Sequence, residues 1–251
     1  IKKNKLIVKS NTSKKRFLTI VNKAKKYIKI GDIFQVVLSQ RFEAKLTKKP
    51  LEIYKKLRVT NPSPFMYFFN FSDFQIIGAS PEILVRLRDN KITVRPIAGT
   101  RPRGKTSTQD NFYEKDLLKD KKELSEHLML LDLGRNDAGK VSKVNSVKVT
   151  ESFIIERYSH VMHIVSNVIG DYNKKFSKFK SLLAGFPAGT VSGAPKIRAM
   201  EIIDELEKSK RKMYAGAVGY FSANKSFDTC ISLRTALIKN NKFYIQSGAG
   251  I

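Results

Sequence analysis

The sequence predicts an α+β domain built on large, mostly antiparallel sheets, and three observations carry that reading. FMYFFNF, FQIIGAS, ILVRLR and KITVRPI follow one another as four branched and aromatic runs joined only by short turns. MYAGAVGYFS, TCISLRTALI and KFYIQSGAG repeat the pattern at the far end of the chain. No internal repeat, low-complexity linker or clear domain boundary separates the two groups, so the runs belong to one α+β domain.

Taken in order, Phe17, Ile20, Val21, Ala24, Tyr27 and Ile28 recur at helical spacing, so residues 14–30 form an amphipathic helix that Gly31 stops. IFQVVLSQRF (33–42) reads as a buried strand, and residues 51–58 as a short helix ending before the Asn61-Pro-Ser-Pro turn. The four strands follow, turned at Ser72-Asp73, at the Ser80-Pro81 corner and at Asp89-Asn90. After a polar loop at 104–109, residues 111–133 read as the longest helix, with Leu117, Leu118, Leu124, Leu128 and Leu131 as its apolar positions. Strands at 144–149 and 158–169 lead to a helix at 176–184, and then to FPAGTVSGAPK (186–196) and a helix at 195–208 opened by a Pro at its first position. No repeat, low-complexity linker or domain boundary interrupts residues 1–251, so a single domain is expected. The absence of an initiator Met, and a chain that stops at GAGI directly after a strand, suggest a fragment.

Composition bounds the function. No apolar run approaches the ~20 residues of a membrane helix, and the N-terminus lacks the apolar core of a signal peptide. One cysteine, Cys230, excludes an internal disulfide framework and fits a reducing compartment, so a cytoplasmic location is expected. The net charge of +26 raises a nucleic-acid hypothesis. The excess is Lys spread along the whole chain without a helix-turn-helix, zinc-finger or RNP pattern, which reads as a solvated surface; no specific nucleic-acid or membrane partner is expected.

The small residues of 186–196 let a backbone approach something closely. They are not a phosphate loop of NTPases, because G-x-x-x-G-x-x-K lacks the G-K-[ST] ending. Free N–H groups, the Thr190 hydroxyl and a helix start make a cradle for a carboxylate or phosphate; a tight structural turn explains the composition equally well. Arg234, inside the apolar run ISLRTALI, reads as a buried guanidinium that needs a carboxylate, from a ligand or from an internal acid. The SGAG turn at 247–250 offers a second bare backbone. Glu82 and Glu126 read either as site carboxylates or as surface charges. Alternation puts His160 and His163 on opposite faces of one strand, one of them core-facing. No nucleophilic triad or zinc spacing is visible.

Ten ordered segments carry more than this. GDIFQVVLSQRF, NPSPFMYFF, GASPEILVR, RPIAGTRPRG, ELSEHLMLLDLGRND, YSHVMHIVSNV, GFPAGTVSGAPKIRAMEII, YAGAVGYF, SLRTALI and QSGAGI resemble, in this order over residues 31–251, the chorismate-binding domain of anthranilate synthase component I. The resemblance implies two sheets with helices packed outside and a deep site between them. It implies a lyase of tryptophan biosynthesis: chorismate and ammonia, delivered from glutamine by a partner amidotransferase subunit, give anthranilate and pyruvate with Mg2+. By similarity, Thr190 and neighbouring main-chain groups, Tyr214, Arg234 and Gly248, Ala249 and Gly250 hold the carboxylates of chorismate. Glu82 matches the general acid, Glu126 a Mg2+ ligand, and His163 the residue linked to pyruvate elimination. Gly99 and Thr100 match residues that line the ring site.

Two positions discriminate between branches of the family. Gln35 stands where water-using relatives such as isochorismate synthases carry a water-activating Lys, which favours ammonia as the nucleophile. Ala98 in PIAGT stands where many aminodeoxychorismate synthases, the alternative reading, carry a nucleophilic Lys. The resemblance places the second metal-binding Glu after GAGI, and most of the tryptophan feedback site in a preceding domain, with Asn61, Pro62 and Met66 as its remnant here.

Overall fold

The structure, a computed structural model, describes residues 6–251; Lys2, Lys3 and Lys5 of the basic N-terminus lie outside the described residues. The elements in chain order are β1 Val8–Ser10, α1 Lys14–Lys29, β2 Gln35–Lys45, α2 Pro50–Thr60, β3 Phe65–Asn70, β4 Gln75–Ser80, β5 Ile83–Arg88, β6 Lys91–Val94 and β7 Ile97–Pro102. There follow α3 Ser107–Leu117, α4 Lys121–Gly139, β8 Lys148–Arg157, β9 Val161–Asp171, α5 Lys178–Gly185, α6 Gly189–Ser192, β10 Gly193–Ala194 and α7 Lys196–Leu206. The last strands are β11 Ala217–Phe221, β12 Phe227–Ile231, β13 Thr235–Lys239 and β14 Lys242–Gly250.

The chain folds as two compact units, each with its own sheet. The first comprises 1–81, 191–216 and 232–251, and its strands run β1-β2-β14-β13-β4-β3, with β10 added to β2. The second comprises 82–190 and 217–231, with strands β11-β12-β5-β6-β9-β7 and β8 paired to β9. Every pairing is antiparallel, as the sequence predicts. Asp89-Asn90 and Asn240-Asn241 both turn with positive φ, which Asn and Asp tolerate and which tight hairpins require.

In the first unit α1 and α7 lie on β2. Ile20 and Ala24 of α1 meet Val36 and Leu38 of β2 and Ala199 and Ile202 of α7, all within a buried cluster. Each such Ile contributes roughly 1.5–3 kcal/mol on burial. Ser13 caps α1 by accepting the Arg16 N–H. In the second unit α4 crosses β6, β7 and β9, burying His127, Leu130, Leu131 and Ala138; Leu128, expected inside, is half exposed.

Several expected boundaries are corrected. The long helix breaks into α3 and α4, because Asp120 accepts the N–H groups of Lys122 and Glu123 and starts a new helix. KITVRPI is interrupted at Arg95-Pro96, and Ile97–Pro102 forms a separate strand, β7. The strand expected at 144–149 lies at Lys148–Arg157, where the charged Glu151, Glu156 and Arg157 and two register irregularities break the alternation that pattern reading needs. TCISLRTALI is two strands, β12 and β13, in different sheets. SGAG is no turn: β14 runs through it, pairing Gly248 with Ser39 and Gly250 with Val37 of β2. No helix among the described residues is long and apolar enough to cross a membrane.

The loop before α3 is fastened by Asp110, which accepts from Arg103 Nε and Nη2 at 2.9 Å and from the Gly104 N–H at 2.8 Å. These partners hold its carboxyl down at about 2. The depressed folded-state value means that this contribution is complete above the unfolded carboxylate range, near pH ~4, and is lost as pH falls toward 2. Asp110→Asn is therefore expected to lower the urea midpoint at pH 7 and to flatten its decline between pH 4 and 2. An unchanged decline would remove Asp110 from the acid response.

Candidate active site

In the second unit β7 and β8 flank His163 of β9. Gly99 lies at an irregularity of the β7–β9 register, between Ala98 and Thr100, with φ +71. That left-handed backbone favours glycine, and a Cβ there would meet Ile164, Leu117 and the Glu123 carboxylate at 3.1–3.3 Å. The kink turns the Gly99 carbonyl and the Thr100 hydroxyl onto His163 Nδ1, each at 3.0 Å. A carbonyl only accepts, so Nδ1 carries a proton and donates it to Gly99. Glu156 of β8 stands directly across from His163, bound by Arg95 and by the Tyr158 hydroxyl, and the Tyr158 ring meets the imidazole edge-on at 5.5 Å. Burial and the Glu156 bond raise the Tyr158 phenol well above its usual value, so it stays a donor. Gly99→Ala is expected to cost about 1–2 kcal/mol from the left-handed backbone alone. It should also cut turnover by displacing the carbonyl; thermal unfolding and rates on one preparation check both.

Glu82, at the start of β5, is 6% exposed, and Oε1 accepts the Thr190 hydroxyl at 3.0 Å. Its backbone carbonyl accepts from the Ile231 N–H, which fixes the residue against β12. A cavity of about 30 Å3, enough for a water molecule, borders Glu82, Thr190, Gly189 and Asp137. Thr190 is thus a partner of Glu82, its own proton committed there. The glycines of 186–196 serve packing: a Cβ on Gly189 would stand 2.1 Å from Leu133 Cδ2, and one on Gly193, φ +132, 2.1 Å from the Gln35 carbonyl. What sits against Gly193 is the backbone of β2. Pro195 is the cap of α7 rather than its first residue.

α4 packs across β7 and β9 and presents Glu123 and Glu126, three residues apart on one face. Glu123 Oε2, close to Gly99, was not singled out in the sequence; its signal is the E-x-x-E spacing. No group of three or more His, Cys, Asp and Glu gathers among the described residues. The donor set still suits Mg2+, a hard cation that keeps several waters and binds through one or two carboxylates and substrate oxygens. His127, also missed, is fully buried, its Nε2 2.7 Å from Ser166 Oγ, and desolvation pushes it down to about 4, so it is neutral. Ser166 also accepts the Phe153 N–H, tying α4, β8 and β9 together.

In the first unit Tyr214 lies beside Gly248, and burial raises the pKa of its phenol. Gly248, Ala249 and Gly250 form the exposed end of β14. Gln35 is buried at the start of β2, its Cα paired with Ala194. Asn61 caps the C-terminus of α2, Pro62 follows it, and Met66 pairs with Ala79. Arg234 departs most from expectation. It is exposed, in a bend with φ +47 between β12 and β13, and its carbonyl accepts from Ala79 N–H. No internal carboxylate among the described residues holds it. His160 is likewise exposed, in the bend before β9, so it shares no strand with His163.

A model of the chorismate binding enzyme family matches residues 2–251. Anthranilate synthase component 1 of Cereibacter sphaeroides is 62% identical over 244 residues, covering 97% of this chain and 49% of that protein. The protein of the same name from Acetivibrio thermocellus is 55% identical over 250 residues, 100% of this chain and 51% of that one. The crystal structure of anthranilate synthase component I from Streptococcus pneumoniae TIGR4 superposes with a TM-score of 0.92 at 47% identity, over 98% of this chain and 55% of that one. The chain spans about half the length of the curated relatives it matches.

Proposed function

The chain belongs to the chorismate-binding enzyme family, and from that premise we propose that residues 1–251 are the chorismate-binding catalytic domain of an anthranilate synthase component I. The reaction converts chorismate and ammonia to anthranilate and pyruvate, the ammonia arriving from a glutamine amidotransferase subunit, in the cytoplasm. The observation that carries the reading is the buried Glu82, whose Oε1 is held by Thr190. With Oε1 occupied as an acceptor, the acidic proton belongs on Oε2, from which it passes to the departing ring hydroxyl as the amine enters.

His163 then serves the second half. The Gly99 carbonyl keeps its proton on Nδ1, and Nε2 is the base that assists loss of pyruvate. Gly99 and Thr100 wall the ring. Tyr214, Arg234 and the main chain of Gly248, Ala249 and Gly250 bind the substrate carboxylates; an exposed Arg234 without an internal acid suits that role. Gln35 is a neutral amide that activates no water, which keeps ammonia as nucleophile. Glu126, with Glu123 beside it, would hold Mg2+, which when bound neutralises a substrate carboxylate. Asn61, Pro62 and Met66 belong with the feedback site of the whole protein.

Full-length protein with chorismate, Mg2+ and ammonium is expected to release anthranilate, followed by its fluorescence. Accumulation of 4-amino-4-deoxychorismate without anthranilate would sink the reading and move the chain to the aminodeoxychorismate branch, against the Ala98 signature. Glu126→Gln is expected to weaken Mg2+ binding in calorimetry by at least about tenfold, the effect of losing one ligand-side charged group. Unchanged Mg2+ affinity would remove Glu126 from the metal site.

A further inference from the structure

The registers Thr100↔His163 and Glu156↔His163 set Thr100, His163 and Glu156 in one row across β7, β9 and β8, on one face of the second unit's sheet. Thr100 meets the imidazole from one side, its hydroxyl 3.0 Å from Nδ1. On the other side both carboxylate oxygens of Glu156 are engaged, Oε1 with Arg95 at 2.6 Å and Oε2 with the Tyr158 hydroxyl at 2.7 Å. Arg95 reaches on to Glu151 at 3.1 Å, which ties the row to the irregular part of β8.

Tyr158 is pinned at three points. Its N–H donates to the Val161 carbonyl at 2.8 Å, its carbonyl accepts from Arg103 Nη1 at 2.8 Å, and its hydroxyl donates to Glu156. The ring that these bonds fix lies against His163, with centroids 5.5 Å apart and planes at 63°. Closing the turn between β8 and β9 needs the main-chain bond to Val161 and neither the phenol, the carboxylate nor the guanidinium. The imidazole does need them. An imidazole can turn by half a revolution about its Cβ–Cγ bond, exchanging Nδ1 with Cδ2 in nearly the same volume, because that torsion is broad and roughly two-fold. Thr100 is exposed, so water competes with it for Nδ1. A ring held edge-on beside the imidazole occupies space that the imidazole would sweep in turning. Burial, and then the Glu156 bond, raise the Tyr158 phenol above its usual value, so it keeps its proton and holds rather than transfers.

We propose that Tyr158 is a positioning residue for His163: clamped through Glu156 by Arg95, its ring keeps the imidazole in the one orientation that sets Nδ1 on the Gly99 carbonyl and turns Nε2 away from it. The hydrogen bond made by one ring nitrogen decides what the other can do, so fixing the ring fixes which nitrogen acts. The consequence for turnover rests on the reading of His163 given above; the orientation does not.

The test joins nitrogen NMR and kinetics on full-length protein labelled at histidine, the His163 signals being identified by their loss in His163→Gln. At about pH 8, above the usual imidazole range, the parent is expected to show one form, protonated on Nδ1, and Tyr158→Leu a mixture averaged with the form protonated on Nε2. Tyr158→Phe, which keeps the ring and loses the Glu156 bond, is expected between the two. Tyr158→Leu is also expected to lower kcat for anthranilate by about tenfold to a hundredfold with KM within about twofold, the size of a misplaced catalytic group. It should release the aminated ring intermediate that still carries its enolpyruvyl side chain, a change of product ratio that a merely structural loss does not produce. His163 signals in Tyr158→Leu that match the parent's would overturn the proposal whatever the rates. Altered signals with the parent's kcat and product ratio would overturn its part in turnover. A parent that makes no anthranilate would sink the reading of the reaction, while the nitrogen signals still decide the positioning. If Tyr158→Leu fails to fold, Tyr158→Phe takes its place under the same criteria.

Discussion

Glu82→Gln is expected to lower kcat by about 10²–10⁴, the range for removing a general acid, while the melting temperature and the affinity for chorismate stay near those of the parent. The amide is isosteric, and its oxygen still accepts the Thr190 hydroxyl that now meets Oε1 at 3.0 Å. The carbonyl contact to Ile231 belongs to the backbone and is untouched. Only the transferable proton disappears, so the loss falls on kcat rather than on binding. Stopped-flow fluorescence of anthranilate formation on full-length protein reads it directly. Turnover within about tenfold of the parent would exclude Glu82 as the proton donor.

The largest expected effect on stability lies in the first unit. Glu207, its side chain 5% exposed, accepts from Ser39 N and Oγ and pairs with Arg211 at 2.5 Å. Arg211 also donates to the carbonyls of Val191 and Val37, so one guanidinium fastens β2 to the end of α7 and to Val191 of α6. Arg211→Met keeps the bulk of the stem but leaves a buried carboxylate without its counter-charge. Breaking a buried pair from one side costs about 3–5 kcal/mol. Arg211→Met combined with Glu207→Gln is expected to recover a large part of that loss, because the stranded charge is gone. Urea unfolding of both variants measures it; a single-variant loss below about 1 kcal/mol would mean that Glu207 is effectively solvated, as surface pairs are.

The recognisable parts of the site are those that depend on residue type. Gly99 is legible only through the resemblance of PIAGT to a family motif, and the structure finds it at φ +71, where other residues strain. Glu82, Glu126 and His163 are legible as motif residues. Their neighbours are harder to read. Nothing in the spacing of Thr190 and Glu82, 108 residues apart, announces their hydrogen bond. His127 reads as one more polar residue on a helix until Ser166 of β9 is seen to meet it in the core. Arg234 is misleading for the opposite reason. Its apolar neighbours in ISLRTALI suggest one buried strand, yet the chain leaves one sheet at Ile231 and joins the other at Thr235, so the Arg falls in an exposed bend.

The sequence by itself determined the class of the fold, the antiparallel hairpins and the chemical kind of each site residue. Branched and aromatic runs, Asn and Asp at tight turns, and ionisable side chains express themselves through local sterics and intrinsic pKa. Only the tertiary structure decided which runs belong to which sheet, where the long helix breaks at Asp120, and why 186–196 is rich in glycine. It also decided which protons are already committed, on Thr190 to Glu82 and on His163 to Gly99. Those outcomes are set by contacts between residues tens to hundreds of positions apart, made when a carbonyl or a carboxylate finds a donor that local sequence does not supply.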